Sequence, residues 1–258
     1  MSNSAVSMKI NGQQLPIDLI AFDADDTLWD CQGHFDEVER QYCEVLSPYA
    51  SADEVSASLF KTESKNMPLL GYGSKAFTIS LVENAIALSA GRVTNSEISA
   101  IINLGKSLLQ LPATPLEGVT ETLKAIHENV GIPMVVFTKG DNLDQQNKFH
   151  RSGLGRWFDD IIVVADKTPK EYQRLCRFFD TRIDRLCMVG NSFKSDILPV
   201  LQLGGYAVHI PYPLMWAHEA ADVVDHPHLV SIKAFKELMQ LIIHPVFCSG
   251  KTAFYHCF

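Results

Sequence analysis

The sequence predicts an α/β fold: a doubly wound parallel sheet, interrupted after its first strand by a domain made of helices alone. Three observations carry this. From about residue 115 onward, short runs rich in Val and Ile alternate with amphipathic stretches. Between about 33 and 111 no convincing strand occurs. The residues with most chemistry in them sit just after the apolar runs, where open α/β sheets bind ligands.

The elements follow in order. The leader "MSNSAVSMKINGQQLP" is polar, lacks an apolar signal core and reads as an N-terminal tail over 1–16. "LIAF" (19–22) is a buried strand ending at Asp23. Four helices are expected next, in "HFDEVERQYCEVLS", "ADEVSASLFKTES", "KAFTISLVENAIALSAG" and "TNSEISAIINLGKSLLQ". Thr94 or Asn95 caps the last, with Glu97 in its first turn. "LPATPLEG" is a stiff connector, and with Gly33 it supplies the natural hinges.

"EGVTETLKAIHENV" then reads as a helix with apolar positions Val119, Leu123 and Ile126. "IPMVVFT", "DDIIVVAD", "RLCMVG" and "YAVHI" read as strands. The helices between them are "DNLDQQNKFHRSGLG", "TPKEYQRLCRFF" (Pro169 in its first turn) and "SFKSDILPVLQLGG"; "SIKAFKELMQLII" closes as a helix. Continuous apolar strands separated by helices imply a parallel sheet covered on both faces. The expected division is a core over 17–32 and 112–245, a helical domain over 33–111, and a C-terminal tail over 246–258.

With 258 residues, 47% of them hydrophobic, the chain can build real cores. A net charge of −8 and the lack of a long basic run exclude a general nucleic-acid or membrane-surface binder. No apolar stretch approaches a membrane span. Six cysteines without a CxxC pair form no zinc or disulfide framework, so a reduced, cytoplasmic protein is expected. Nothing in the sequence speaks to oligomeric state.

Asp23, Asp25 and Thr27 follow the first strand, Thr138 and Lys139 the second, Asp166 and Lys167 the third, and Asn191, Ser192 and Asp196 the fourth. Two carboxylates about 4 Å apart repel by roughly 4 kcal/mol at an effective dielectric of 20. A divalent ion offsets that repulsion, and an all-oxygen ligand set suits Mg²⁺. The ion also draws in a phosphate, which Thr138 can hydrogen-bond and Lys167 can neutralise. This toolkit fits phosphoryl transfer, which is mostly positioning and charge stabilisation.

Asp23-x-Asp25-x-Thr27-Leu28 after an apolar strand resembles the first motif of the haloacid dehalogenase-like hydrolases. Thr138 after "VVF", Lys167 in "ADKTPKEY" and the segment "VGNSFKSD" resemble the second, third and fourth. The resemblance spans roughly 17–243 and implies a Rossmann-like core with a helical cap after the first strand. It implies Asp23 as nucleophile, forming an aspartyl phosphate, and Asp25 as acid and then base. Thr27, Thr138, Lys139 and Lys167 would bind the phosphoryl group. Mg²⁺ would be held by Asp23, the Asp25 carbonyl and the fourth motif, through Asn191 or Asp196. Asp25 also implies a phosphohydrolase, since the family's dehalogenases lack an acid there. The expected substrate is a small phosphorylated metabolite. A phosphomutase shares the chemistry. A receiver-type switch or a non-catalytic phosphoryl-binding member is the alternative outside catalysis.

Asn191 departs from the Asp usual at its position, so weaker metal affinity is expected. Asp26 and Asp30 read as turn and capping residues. Lys167, directly after its strand, is preferred to Lys170. "DHPH" (225–228) reads as a solvated loop, since Pro227 breaks any helical face that would align the histidines. "GYGSK" (71–75) reads equally as a turn between helices or as a segment reaching the substrate. "SGKT" near the end lacks the first glycine and the preceding strand of a P-loop.

Overall fold

Leu19–Phe22 (β3) is buried at every position because helices cover both faces of its sheet. Ile20 and Phe22 enter one apolar cluster, and Leu19 and Ala21 enter the other. The computed structural model describes residues 6–214, 216–219 and 221–243. Its main sheet has six parallel strands in the order β5-β4-β3-β6-β7-β8. These are Met134–Lys139 (β4), Asp160–Val164 (β5), Leu186–Gly190 (β6), Tyr206–His209 (β7) and Leu229–Ser231 (β8). On one face packs Val119–Val130 (α5), through the Val119, Leu123 and Ile126 stripe that its period predicts. On the other pack Pro169–Phe178 (α7) and Leu198–Gln202 (α8). Asn142–Ser152 (α6) follows β4, capped by Asp141, whose carboxylate accepts the Asp144 N–H at 3.0 Å.

Gln32–Leu46 (α1), Ala52–Leu70 (α2), Ser74–Leu88 (α3) and Asn95–Leu108 (α4) form a bundle around a third apolar cluster. Thr94 caps α4 in a full capping box with Glu97. Gly105 lets α4 approach α3: a Cβ there would lie 2.1 Å from Thr78 Oγ1. Inside the bundle, Tyr42 donates to the Leu81 carbonyl (2.9 Å) and accepts from Asn84 (2.9 Å). The returning connector pairs with the core where Leu116 N–H donates to the Leu28 carbonyl (2.9 Å).

Two expectations need correction. The N-terminal tail holds a hairpin, Ser7–Ile10 (β1) and Gln13–Pro16 (β2). Asn11 and Gly12 both have positive φ, as a type I′ turn requires, and Met8 and Ile10 are buried in the core. The closing helix is only Leu238–Leu241 (α9) after a 3₁₀ turn; Ile242–Ile243 (β9) instead pairs with β1. Gly33, expected as a hinge, lies in the first turn of α1, against the Asp30 carboxylate. "DHPH" is a loop pinned by Asn11, whose amide donates to the His226, Pro227 and Leu229 carbonyls. The C-terminal tail and its "SGKT" lie outside the described residues.

Candidate active site

The loop Asp23–Asp30 folds on itself because its own backbone supplies the turn. The Ala24 carbonyl accepts from the N–H groups of Thr27 and Leu28, and Asp26 takes a positive φ. Asp26 Oδ1 then accepts the Cys31 and Gln32 N–H groups at 2.8 and 2.9 Å, capping the start of α1. Asp30 accepts from Gly33 N–H and from the Tyr212 hydroxyl. Both carboxylates therefore serve the turn. Burial pushes the Asp26 carboxyl up to about 7 despite its backbone donors.

Asp23 and Asp25 face a cavity of about 410 Å³ between the sheet's carboxyl edge and the bundle. Lys167, 3% exposed, bridges Asp23 Oδ1 and Asp196 Oδ1. Thr27 Oγ1 lies 3.3 Å from Asp23 Oδ2 and 3.1 Å from Asn191 Oδ1. Burial, with Asp196's charge beside it, pushes Asp23 up to about 7 against the pull of Lys167. Lys167 remains charged, because Asp196 and Asp23 outweigh the burial that opposes its charge. Lys170 is exposed on α7 and does not line the cavity.

Asp25 is held by three donors. Lys148 Nζ lies 2.7 Å from both its oxygens, Gln145 Nε2 2.8 Å from Oδ2, and Trp29 Nε1 2.8 Å from Oδ1. Burial raises its pKa, but Lys148, Gln145 and Trp29 together outweigh burial and keep it low. Thr138, buried at the end of β4, lines the cavity. Lys139 also lines it but is engaged: it pairs with Glu219, donates to Ser195 Oγ (2.9 Å) and sits 4.2 Å over the Tyr72 ring.

Asp196 and Asn191 divide the roles expected of the fourth motif. Asp196 is fully buried; one oxygen accepts from Lys167 and the other from Ser192 N–H (3.0 Å). Gly190 makes room for it, since a Cβ there would sit 2.3 Å from Asp196 Oδ2. Asp196, expected as a possible metal ligand, lines the cavity and faces Lys167. Asn191 is the residue that shares Thr27 with Asp23, and His209 Nε2 donates to its carbonyl (3.1 Å). Among the described residues no three His, Cys, Asp or Glu side chains cluster as a metal site. Asp23 Oδ2 and Asn191 Oδ1, which converge on one hydroxyl, are nonetheless hard oxygen donors of the kind Mg²⁺ takes, so the residues fit that ion.

The sequence reading missed Lys148, Gln145 and Glu219. The spacing of Asp144, Gln145 and Lys148 places them on one helical face beyond a strand end, which is a usable signal. Glu219, at the end of the 3₁₀ turn Ala217–Glu219 between β7 and β8, offers none. "GYGSK" contributes Tyr72 and Ser74 to the cavity wall, while Lys75 bridges Asp141 at 2.9 Å.

A family model described as haloacid dehalogenase-like hydrolase matches residues 17–204. Among solved structures, a haloacid dehalogenase-like family hydrolase from Xanthomonas campestris is 34% identical, with 88% of this chain and 91% of that chain covered and a TM-score of 0.76. A predicted phosphoglycolate phosphatase from Haemophilus somnus (18% identity, 87% and 97% covered, TM-score 0.57) shares the fold. So does a 2-haloacid dehalogenase from Pseudomonas syringae pv. tomato (19%, 87% and 97%, 0.59). No curated protein matches in sequence.

Proposed function

The chain belongs to the haloacid dehalogenase-like hydrolase family, and we propose that within it this chain is a Mg²⁺-dependent phosphatase acting on a small phosphomonoester. The observation that carries the reading is Asp25: a second carboxylate, two residues after Asp23, held by three donors at the cavity wall. Displacement at carbon by a carboxylate needs no such group; protonation of an alkoxide leaving group does.

Asp23 attacks phosphorus, forming an Asp23–phosphorus bond as the ester oxygen leaves. Asp25 gives that oxygen its proton. Asp25 then takes a proton from water, the water oxygen attacks phosphorus, and Asp23 is released as carboxylate. The contacts around Asp25 hold it ionised, the form the second step needs. The negative charge of an entering phosphomonoester pushes it toward the protonated form that the first step needs. Lys167 neutralises phosphoryl oxygens and orients Asp23, while Thr138 donates a hydrogen bond. Asp23, the Asp25 carbonyl and Asn191 would hold Mg²⁺, which would supply charge neutralisation. The bundle would serve as the cap, excluding water and selecting the leaving group. Among the described residues Cys31, Cys43, Cys176 and Cys187 are free thiols, and we place the protein in the cytoplasm as part of this proposal.

Incubation with para-nitrophenyl phosphate and Mg²⁺ tests this. Turnover is expected, reduced at least about 10³-fold in Asp23→Asn. Absence of turnover at every Mg²⁺ concentration would overturn the phosphatase reading.

A further inference from the structure

Two aromatic rings, one from each body of the chain, meet in the cavity wall. Tyr72 comes from the turn between α2 and α3, and Trp216 from the connection between β7 and β8. The rings pack edge to face, with centroids 5.9 Å apart and planes at 79°. Both are half-buried, so each keeps open surface. Leu214 and Val223, from the same connection as Trp216, also line the cavity and are 40% and 74% exposed. Met67 of α2 and Phe35 of α1 add to this apolar wall.

The backbone holds both rings in place. Gly71 and Gly73, on either side of Tyr72, take φ of 71° and 106°, where a residue with a Cβ is strained. Glu219, three residues after Trp216, accepts from Lys139, Ser192 and Ser195. Lys139 Nζ lies 4.2 Å from the Tyr72 ring centre and 6.0 Å from that of Trp216. The wall's lysines are all paired with its carboxylates: Lys139 with Glu219, Lys148 with Asp25, Lys167 with Asp23 and Asp196. Glu63 lines the cavity too, but burial and Glu39 push its carboxyl up to about 7, so it adds little charge below that pH. The rings also stand on the leaving-group side. Gln145 Nε2 donates both to Asp25 Oδ2 (2.8 Å), which serves the leaving oxygen, and to the carbonyl of Lys139 (3.0 Å). The cavity, about 410 Å³, is of the size that holds a small organic ligand.

We propose that the leaving alcohol of the substrate is uncharged and apolar, an alkyl or arylalkyl group larger than ethyl, and that Tyr72 and Trp216 select it. This rests on the phosphatase reading above and names its substrate class. An alkyl chain laid on the two rings, Leu214 and Val223 removes apolar surface from water on both sides. A polyol of the same size would exchange water around its hydroxyls for ring and methyl surface.

Three probes test this: ethyl phosphate, n-butyl phosphate and glycerol 3-phosphate. The first two differ in apolar length and hardly in leaving-group acidity; the third matches butyl phosphate in size. From ethyl to butyl, kcat/KM is expected to rise about tenfold, the effect of two buried methylenes, with glycerol 3-phosphate at or below ethyl. In Tyr72→Ala and in Trp216→Ala the butyl-to-ethyl ratio falls at least about threefold. Tyr72→Phe keeps the ratio, because the ring and not the hydroxyl makes the contact. Circular dichroism and thermal melts establish that the three variants are folded. A wild-type ratio near one, a preference for glycerol 3-phosphate, or a ratio that either alanine variant leaves unmoved overturns the assignment. So does a Tyr72→Phe variant that loses the ratio as Tyr72→Ala does. Hydrolysis of para-nitrophenyl phosphate together with any of these results removes this inference alone. If the wild type hydrolyses neither that aryl phosphate nor any of the three probes, the phosphatase reading falls, and this one with it.

Discussion

Residue 191 is where the chain departs from a pattern it otherwise keeps, and the structure gives that departure a physical meaning. Asn191 Oδ1 shares the Thr27 hydroxyl with Asp23, so it faces the oxygens a metal would use, but brings no charge. Asn191→Asp restores the charge. The Mg²⁺ concentration giving half-maximal turnover is expected to fall about tenfold; a titration showing no change would mean that residue 191 is not a ligand. Lys148 makes a second residue-level test. It is 3% exposed, and burial opposes its charge, but Asp25 holds it protonated. Lys148→Met strips the buried partner from Asp25 and is expected to lower unfolding free energy by about 3 kcal/mol, read from urea denaturation. Asp23, Asp25 and Lys167 were legible in the sequence because each directly follows an apolar strand. Lys148 was not, because its partner lies 123 residues away and only the packing of α6 against the first loop brings them together.

Helix α2 carries a strained carboxylate, and its strain has a sign. Glu63 titrates near 7 in the folded chain against an ordinary 4.5, with burial first and Glu39 second as causes. Between those values the unfolded chain binds fewer protons than the folded one. The contribution of the protonated form is therefore full below about 4.5 and is lost as pH rises through 7. Glu63→Gln, which removes the titration, is expected to raise Tm at pH 8 and to leave it nearly unchanged at pH 4.5, by calorimetry at both pH values. Equal shifts at the two pH values would show that charge is not the cause. At this scale the sequence spoke clearly where capping chemistry is local, as at Thr94 and Glu97. It also held a signal for the hairpin, Asn11-Gly12 between Met8, Ile10 and Leu15, which the polar composition around it masked. The last element was overread because "LMQLII" is apolar enough for either state. Pairing of Met8 with Ile242 decides for strand, and that is a contact between the two ends of the chain.

The whole molecule is two bodies with separate apolar cores and a shared cavity. The sheet's two clusters and the bundle's cluster are distinct sets of residues. That the bundle stands over the chemistry was legible, because an insertion directly after the first strand leaves from the carboxyl edge where ligands bind. What crosses the cavity was not, because it depends on how the bundle tilts. Lys75 reaches Asp141, Ser74 donates to Asp144 (2.9 Å), and Phe60 stacks on His218 at 4.2 Å between ring centres. The Lys75–Asp141 pair is partly exposed, and such pairs contribute at most about 1 kcal/mol. If the bundle serves as the cap proposed above, crossings of this kind have to break for substrate to enter. Removing one crossing should then shift the open population without unfolding either body. In Lys75→Ala, amide hydrogen exchange across Gly71–Phe77 and Asp141–Gln145 is expected to quicken roughly two- to fivefold, the equivalent of up to about 1 kcal/mol. Exchange in β3 and β6, at the centre of the sheet, is expected to stay unchanged. Unchanged exchange at both crossing segments would mean that this pair does not hold the two bodies together, and faster exchange in β3 as well would mean that the bundle and the sheet unfold as one unit.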